Sequence, residues 1–306
     1  MTQLQAIRIG TRESALALYQ ARAVASALEE EGARTRLVEI SSDGDVDLHT
    51  PLYAMGIQGI FTKSLDIALL DKRIDIAVHS AKDIPTKLAR GLRLCAVLKR
   101  GSPLDCLVLP SSRNSIDFDQ PKRIATSSLR RKSQWLSRYP NDLLESFRGN
   151  IQTRLKKLDQ SEWDGAIFAH AAIQRLGITS HTFITLDWML SAPAQGAIAV
   201  VCRDDDAEMI ETTAAIHDAE TGLCIEAERD FLAALHGGCA VPIAAFATIE
   251  KSEMRFRGNI FSYEGDRKCE VDLKFHLSKA GDAGQVAAAE ILRTGGEPIL
   301  RTFRPA

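Results

Sequence analysis

The stretch Ile74-Asp75-Ile76-Ala77-Val78-His79-Ser80-Ala81-Lys82-Asp83-Ile84-Pro85 decides the fold class of this 306-residue chain. Its first part, Ile74 to Val78, is apolar except for Asp75 and predicts a buried strand. Its second part is polar and runs to a proline, so we expect a loop that follows the carboxyl end of the strand. A buried strand followed by a polar loop is typical of α/β proteins.

The segments on either side of this stretch alternate between strand and helix patterns. Strands are predicted at Ala6–Gly10 and Arg36–Ile40, with a helix between them, and again at Leu92–Leu98. A further helix is indicated by Phe61, Leu65 and Leu69 at helical spacing. This βαβα alternation predicts a mostly parallel, doubly wound sheet with helices on both faces.

The rest of the chain predicts a second domain of the same class and a smaller third one. Lys99–Pro103 breaks the alternation, which then restarts, and apolar Ala197–Cys202 is expected to return to the first sheet. After residue 217 a long helix and three strands follow, the last with clean apolar alternation, as in an antiparallel sheet with one buried face. We therefore expect three domains: 1–98 with 197–216, 99–196, and an α+β domain at 217–306.

Composition excludes several classes of protein. The chain is 45% hydrophobic and 25% charged, with a net charge of −2, so no global field favours nucleic acid or a membrane. Its six cysteines show neither CxxC pairs nor regular spacing, which argues against a disulfide framework and a zinc site. Without a signal-peptide pattern or an apolar run of membrane length, we expect a cytoplasmic protein that holds no metal.

Basic residues are concentrated between Lys122 and Lys157, a segment that contains ten basic residues and two acidic ones. Thr126-Ser127-Ser128-Leu129-Arg130-Arg131 falls where a strand should end and a helix begin. A helix N-terminus favours anions, and hydroxyl and guanidinium groups there recognise carboxylates or phosphates. Three other clusters also follow predicted strands: Arg12 with Ser14, Ser80 with Lys82, and Arg148 with Arg154.

Together the four clusters predict a cleft that binds a polyanion, because strand carboxyl ends share one edge of a doubly wound sheet. Taken singly, each arginine would be a solvated surface charge. Phosphate stays open as a ligand, but neither a P-loop nor a GxGxxG motif is present, which disfavours nucleotides. Few aromatic residues are available to stack on bases, which disfavours nucleic acid.

For three single residues the sequence leaves both a functional and a structural role open. Asp83 could stabilise a positive charge or move a proton, or it could simply pair with Lys82. Phe61 could cover the cleft, although its helical spacing is more typical of a core residue. Cys239 lies in Gly237-Gly238-Cys239-Ala240-Val241-Pro242, a loop that could present a thiol, but a buried inert cysteine is the commoner case.

With these motifs in place, the chain resembles the porphobilinogen deaminases, also called hydroxymethylbilane synthases, along nearly its whole length. Five stretches in the same order carry the resemblance: Arg8–Ser14, Asp75–Pro85, Thr126–Arg131, Arg148–Asn150 with Thr153-Arg154, and Gly237–Cys239 with Val241-Pro242. The resemblance implies two domains like those of type II periplasmic binding proteins, plus the third domain with a three-stranded antiparallel sheet. It also implies a transferase of tetrapyrrole biosynthesis that joins four porphobilinogen molecules, with release of ammonia, and liberates hydroxymethylbilane.

The resemblance further implies a role for each matching residue. Cys239 would carry a dipyrromethane cofactor through a thioether, and Asp83 would stabilise charge as ammonia leaves. Cofactor carboxylates would be held by Ser80, Lys82, Thr126, Ser128, Arg130 and Arg131. The substrate would be held by Arg12, Ser14, Arg148, Arg154, Arg175 and Gln195. Phe61 is a possible lid, and we expect a monomer.

The sequence departs from the family pattern at a few positions. Gln58 and Ser64 stand where lysine and glutamate are usual, and Ser191, Ala194 and Ala240 replace a proline, a glycine and a polar residue. None of them is a matched catalytic position. Two alternatives remain: a solute-binding protein that clamps an anion between two lobes, and a basic regulatory module.

Overall fold

The structure is a computed structural model that describes residues 6–41, 62–235 and 241–303. Thirteen strands are seen in these residues: β1 (Ile7–Thr11), β2 (Thr35–Glu39), β3 (Ile76–Ser80), β4 (Leu92–Val97), β5 (Asp105–Val108), β6 (Arg123–Ala125), β7 (Leu143–Glu145), β8 (Gly165–Ala169), β9 (Phe183–Leu186), β10 (Ile198–Arg203), β11 (Ile243–Glu250), β12 (Glu253–Phe261) and β13 (Lys268–His276).

The same residues form nine α-helices, with short 3₁₀ turns at Ala81–Asp83 and Leu277–Asp282. The helices are α1 (Ala15–Glu30), α2 (Lys63–Leu70), α3 (Leu129–Arg138), α4 (Ile151–Asp159), α5 (His170–Arg175), α6 (Ala207–Ala214), α7 (Ala219–Ala234), α8 (Ala283–Ile291) and α9 (Glu297–Arg301).

Contacts divide the chain into two compact units. The first holds the described residues of Met1–Leu48 and Ile57–Gly101 together with Gly196–Gly222. The second holds Ser102–Gln195 and the described residues of Leu223–Ala306. The chain thus leaves the first unit within the predicted break at Lys99–Pro103 and returns at Gly196. The division into three domains stays a prediction.

The first unit contains a five-stranded sheet in the order β2-β1-β3-β10-β4. β10 runs antiparallel to both of its neighbours, whereas β1 pairs in parallel with β2 and β3. The prediction that Ala197–Cys202 returns to this sheet is therefore confirmed. One apolar core forms where Val24 and Leu28 of α1 meet Ile9, Ile76 and Val200 of the sheet.

The second unit contains a sheet in the order β7-β6-β8-β5-β9, again with one antiparallel strand, β5. Successive residues of β5 enter two different cores: Cys106 and Val108 lie in one, and Leu107 lies in the other with Trp135 of α3. Because side chains alternate along a strand, both faces of the sheet are covered. This agrees with the predicted doubly wound α/β architecture.

The C-terminal part of the second unit is an antiparallel sheet in the order β11-β12-β13. Phe256 and Ile260 of β12 pack against Phe231 of α7 and Ile291 of α8. The rings of Phe231 and Phe256 lie 5.3 Å apart between centroids. The predicted α+β segment with three strands is confirmed.

One strand boundary differs from its prediction in a way that affects the site. The strand predicted at Ile74–Val78 extends instead from Ile76 to Ser80. The reason is its pairing with β10, which places Ile198 opposite Ser80 and lengthens the ladder at that end. Ser80 is thus fixed on a strand instead of a loop, and the following turn is short.

Candidate functional site

In the first unit, two of the predicted clusters share one sheet edge. β1 and β3 pair in parallel, so their carboxyl ends lie side by side. β1 leads through Arg12 to Ser14, which precedes α1, and β3 ends at Ser80 and leads into the turn that holds Lys82 and Asp83. Strand pairing within the first unit therefore brings to one edge the five predicted site residues that lie in its described part.

Local hydrogen bonds orient the hydroxyl groups at this edge. Ser14 is the N-cap of α1, and its Oγ accepts a hydrogen bond from the N–H of Ala17 at 3.3 Å. The Oγ of Ser80 accepts a hydrogen bond from the buried amide of Gln20 at 2.8 Å. Gln20 was not recognised in the sequence, because a glutamine on a helix carries no motif. Ser80 is thus oriented from α1.

The charged groups at this edge differ in exposure. Asp83 is exposed, whereas Lys82 and Arg12 are half-buried. His79, which precedes Ser80, is buried, and its Nε2 has no hydrogen-bond partner among the described residues. Burial, and to a smaller extent the charge of Arg12, lower the pKa of His79 to about 4. His79 is therefore neutral near pH 7.

In the second unit, β6 pairs in parallel with both β7 and β8, so the carboxyl ends of these three strands share an edge. Thr126 and Ser128 follow β6, and the N-terminus of α3 begins directly after them. Ser128 is the N-cap of α3, and its Oγ accepts from the N–H of Arg131 at 3.4 Å. The strand-to-helix turn predicted for this motif is confirmed.

The two arginines of this motif point into the protein and share one carboxylate. Arg130 and Arg131 are 6% and 7% exposed, and Asp105 of β5 is fully buried. Nη2 of Arg130 lies 2.7 Å from Oδ2 of Asp105, and Nη2 of Arg131 lies 2.7 Å from its Oδ1. Burial alone would raise the pKa of Asp105, but the charges of Arg130 and Arg131 hold that pKa well below its usual range.

Asp105 is a second residue of the site that was not recognised in the sequence. The signal for it was a single acidic residue at the start of the otherwise apolar strand Asp105–Val108, all four residues of which are buried. A carboxylate is rarely buried without a cationic partner. The sequence therefore showed that a partner was needed, but not which one.

Gln195 also contacts this cluster. It is 1% exposed, and its Nε2 donates to Oδ1 of Asp105 at 2.9 Å and to the carbonyl of Pro103 at 2.8 Å. The neighbouring Ala194 has a φ of 62°, and its N–H donates to the carboxylate of Glu228 at 2.6 Å. This left-handed backbone accounts for the glycine that the family pattern has at position 194.

The remaining basic residues occupy the ends of the next two helices. Arg148 is buried just before α4, which is capped by Asn150, and Arg154 lies in the first turn of that helix. The guanidinium carbon of Arg154 stands 5.3 Å from the ring centroid of Phe147. Arg175 is the last residue of α5.

Cys239 and Phe61 lie outside the described residues, as do Gln58 and Ala240. Ser64 lies in α2. No group of three or more metal-ligating side chains occurs within residues 6–41, 62–235 and 241–303. In the same part of the chain, no helix is long and apolar enough to cross a membrane.

Comparison with known proteins identifies the family. Residues 7–211 match the family model described as "Porphobilinogen deaminase, dipyromethane cofactor binding domain", and residues 222–293 match that of the C-terminal domain. The chain belongs to the porphobilinogen deaminase family. The expectations of a transferase of tetrapyrrole biosynthesis and of a dipyrromethane cofactor are therefore confirmed at the level of the family.

Individual porphobilinogen deaminases align over almost their full length. The enzyme of Syntrophotalea carbinolica is 39% identical over 299 residues, which cover 96% of this chain and 95% of that protein. The enzyme of Desulforamulus reducens is 38% identical over 302 residues and covers 97% of this chain and 98% of its own.

Solved structures of other proteins are similar at a lower level. The BvgS VFT2 domain of Bordetella pertussis gives a TM-score of 0.43 at 12% identity, and covers 69% of this chain and 86% of its own. A putative periplasmic sulfonate-binding protein of Methylobacillus flagellatus gives 0.39 at 12% identity, with 77% and 69% covered. Matches at this level are too weak to inform the function.

Proposed function

We propose that the chain catalyses the reaction for which its family is named. In this reaction four porphobilinogen molecules are joined head to tail with loss of ammonia, and hydroxymethylbilane is released. The observation that carries the proposal is the pair of sheet edges described above, where hydroxyl and cationic side chains follow the carboxyl ends of strands. Each pyrrole of the substrate bears an acetate and a propionate, and such donors bind carboxylates.

The chemistry of these donors fits a dipyrromethane, whose two rings carry four carboxylates. We assign its carboxylates to Ser80, Lys82, Thr126, Ser128, Arg130 and Arg131, and its covalent attachment to Cys239. The dipyrromethane, when bound, supplies the pyrrole ring onto which new units are joined. The cationic groups supply charge complementarity, and the N-terminus of α3 adds the partial positive charge of a helix end.

The incoming porphobilinogen is assigned to a second group of side chains. These are Arg12, Ser14, Arg148, Arg154, Arg175 and Gln195. Bidentate guanidinium–carboxylate contacts would fix the orientation of the ring as well as its position, which lowers the entropy lost in the reaction step. Phe61 is assigned as a cover for the bound ring.

Asp83 is assigned the catalytic role. It is an exposed carboxylate at the edge that also carries Arg12, Ser80 and Lys82. Loss of ammonia leaves positive charge on the substrate, and a carboxylate in a fixed position stabilises such charge at the moment it forms. The same carboxylate can accept a hydrogen bond from a pyrrole N–H and assist proton loss after coupling.

The wider setting follows from the same assignment. We propose a cytoplasmic monomer that acts without nucleic acid or a membrane. We also propose the three-domain organisation 1–98 with 197–216, 99–196, and 217–306, the last of which carries Cys239. The small net charge of −2 agrees with a small-molecule substrate.

Turnover of porphobilinogen tests this proposal. Purified protein incubated with porphobilinogen should release four molecules of ammonia and one linear tetrapyrrole for every four substrate molecules consumed. Reversible binding of porphobilinogen without ammonia release would contradict the proposal and support a solute-binding protein. Binding of nucleic acid in preference to other polyanions would instead favour a regulatory module.

A further inference from the structure

Asp105 stands at the centre of a closed set of contacts in the second unit. Oδ1 of Asp105 accepts hydrogen bonds from Nε and Nη2 of Arg131, at 3.1 and 2.7 Å, and Oδ2 lies 2.7 Å from Nη2 of Arg130. All three side chains are at least nine-tenths buried. One carboxylate therefore serves two guanidinium groups in a site from which water is largely excluded.

Each guanidinium is also held from a second side. Nη1 of Arg130 donates to the carbonyl of Leu190 at 2.7 Å, and Nη1 of Arg131 donates to the carbonyl of Ile167 at 3.0 Å. Arg131 thus donates through all three of its nitrogen atoms, but each terminal nitrogen carries a second hydrogen that can serve another acceptor. The direction of both guanidinium planes is fixed before any ligand binds.

The carboxylate of Asp105 is itself oriented by a neutral donor. Gln195 bridges its Oδ1 and the backbone carbonyl of Pro103. Two buried guanidinium groups beside each other would repel, and burial lowers the pKa of Arg130 while Asp105 raises it. With one carboxylate for two cations, the cluster keeps a net positive charge that can attract an anion.

We propose that Asp105 is a positioning residue for Arg130 and Arg131. It holds both guanidinium groups at the carboxyl end of β6, in the orientation in which their remaining N–H groups bind carboxylates of the dipyrromethane. Asp105 itself does not contact cofactor or substrate. This inference rests on the assignment of Arg130 and Arg131 to the cofactor.

The test compares cofactor loading in three variants. Asp105→Asn removes the charge at nearly constant size. Asp105→Glu keeps the charge but moves the carboxylate by one methylene. Asp164→Asn is the matched control: Asp164 pairs with Arg113 at 2.6 Å, and its carboxylate accepts a hydrogen bond from the N–H of Arg123 at the opposite, amino end of β6 in the same sheet. Loading is followed as the rate at which apoprotein gains covalent mass when porphobilinogen is added.

We expect loading by Asp105→Asn, and its kcat, to fall about ten-fold or more, which corresponds to the loss of one charge-assisted contact. KM for porphobilinogen should change less than kcat, since both arginines are assigned to the cofactor, and Gln195, which is assigned to the substrate, keeps its contact with the carbonyl of Pro103. Asp164→Asn should load at the wild-type rate. If Asp105 had only a structural role, Asp105→Asn would lower the free energy of unfolding, but it would not lower kcat more than it changes KM.

A double-mutant cycle with Arg131→Gln decides whether Asp105 acts through the arginines. If it does, the double variant loses less of its loading rate than the product of the two single losses, because part of the effect of Asp105 passes through Arg131. The inference would be overturned if the two single losses in loading rate multiplied in the double variant. It would also be overturned if Asp105→Asn loaded at the wild-type rate. If Asp105→Asn does not fold, Asp105→Glu decides: slower loading supports the inference, and wild-type loading overturns it. Wild-type protein that never loads would instead refute the proposed function.

Discussion

Two aspartates of this chain illustrate how position sets the role of one side chain. Asp83 is exposed in a short turn after β3, and Asp105 is buried in β5 between two arginines. The first can reach a substrate, whereas the second can act only through its partners. At the residue scale, exposure and partners therefore separate the proposed catalytic carboxylate from the positioning one.

The catalytic assignment of Asp83 leads to a kinetic prediction. Asp83→Asn keeps the size of the side chain but removes the charge that would stabilise the developing cation. We expect kcat to fall about 10²- to 10³-fold, as for removal of one preorganised electrostatic contact, with KM changed by less than about three-fold. Steady-state ammonia release measures both.

The control for this variant is Asp71→Asn. Asp71 is an exposed residue at the C-terminal end of α2, and its carboxylate stands 3.8 Å from Arg73. Its substitution should leave kcat and KM at wild-type values, because an exposed pair contributes little. Turnover by Asp83→Asn at more than about a tenth of the wild-type rate would be incompatible with the proposed role.

His79 predicts a pH dependence of stability. Burial lowers its pKa to about 4 in the folded chain, from an ordinary value of 6.5. The unfolded chain therefore binds a proton between these values and the folded chain does not, so stability is full above pH 6.5 and falls as the pH drops toward 4. Between pH 7.5 and 5.5 this group alone should lower the free energy of unfolding by about 1 kcal/mol.

Denaturant unfolding of wild type and His79→Gln at both pH values isolates this contribution. Carboxylates titrate equally in the two proteins, so the difference between them reports His79. The variant should lose about 1 kcal/mol less than wild type over this interval. Equal losses in both proteins would mean that His79 is not a buried neutral base.

The arginines were predictable from the sequence, and Asp105 was not. Arg130 and Arg131 belong to a contiguous motif at a strand-to-helix turn, which spacing alone identifies. Asp105 lies 26 positions before Arg131, and the two meet only because β5 pairs with β8, which in turn pairs with β6. Strand order of this kind is not encoded in local periodicity.

At the scale of the element, helix N-termini followed local rules. Ser14, Ser128 and Asn150 each cap a helix with a side-chain oxygen, as serine and asparagine are expected to do. Strand ends did not follow local rules as closely, because β3 is extended by its pairing with β10. Capping depends on neighbours in sequence, whereas the length of a strand depends on partners that are distant in sequence.

The hairpin between β12 and β13 leads to a prediction about one glycine. Gly265 has a φ of +75°, and a Cβ there would lie 2.3 Å from the carbonyl oxygen of Ser133 in α3. Gly265→Ala should therefore lower the free energy of unfolding by at least about 1–2 kcal/mol, from backbone strain alone. The clash with α3 should add to this loss.

Gly281→Ala is the matched control, since a Cβ at Gly281 meets nothing within 4 Å and its φ is not in the left-handed range. It should change stability by less than about 0.5 kcal/mol. Thermal or urea unfolding of both variants gives the comparison. A Gly265→Ala protein as stable as Gly281→Ala would show that the hairpin does not pack against α3 as described.

At the scale of the whole molecule, the two mixed sheets have the same internal order. In each, a parallel trio is followed by one antiparallel strand and a last strand: β2-β1-β3-β10-β4 and β7-β6-β8-β5-β9. The sequence predicted the βαβα alternation and the return of the chain near residue 197. The sequence did not predict that β5 and β10 are antiparallel to their neighbours, because the apolar pattern of a buried strand is the same in either direction.

The ligand of the site could also be predicted only in part from the residues alone. Cationic clusters after strands indicated a polyanion from the residues alone, but they could not separate a carboxylate ligand from a phosphate. The family motifs were needed to name a polycarboxylate and to give Cys239 a role. Considered without them, a cysteine in a glycine-rich loop is more often inert.

The intact mass of the purified protein is the decisive measurement, since the proposed function requires a dipyrromethane bound covalently through Cys239. Wild-type protein, and a control Cys95→Ser variant, should each exceed the mass of their chain by one dipyrromethane. Cys239→Ser should show the mass of its chain alone and no turnover. Wild-type protein of unmodified mass that still converts porphobilinogen would contradict the attachment of the cofactor to Cys239.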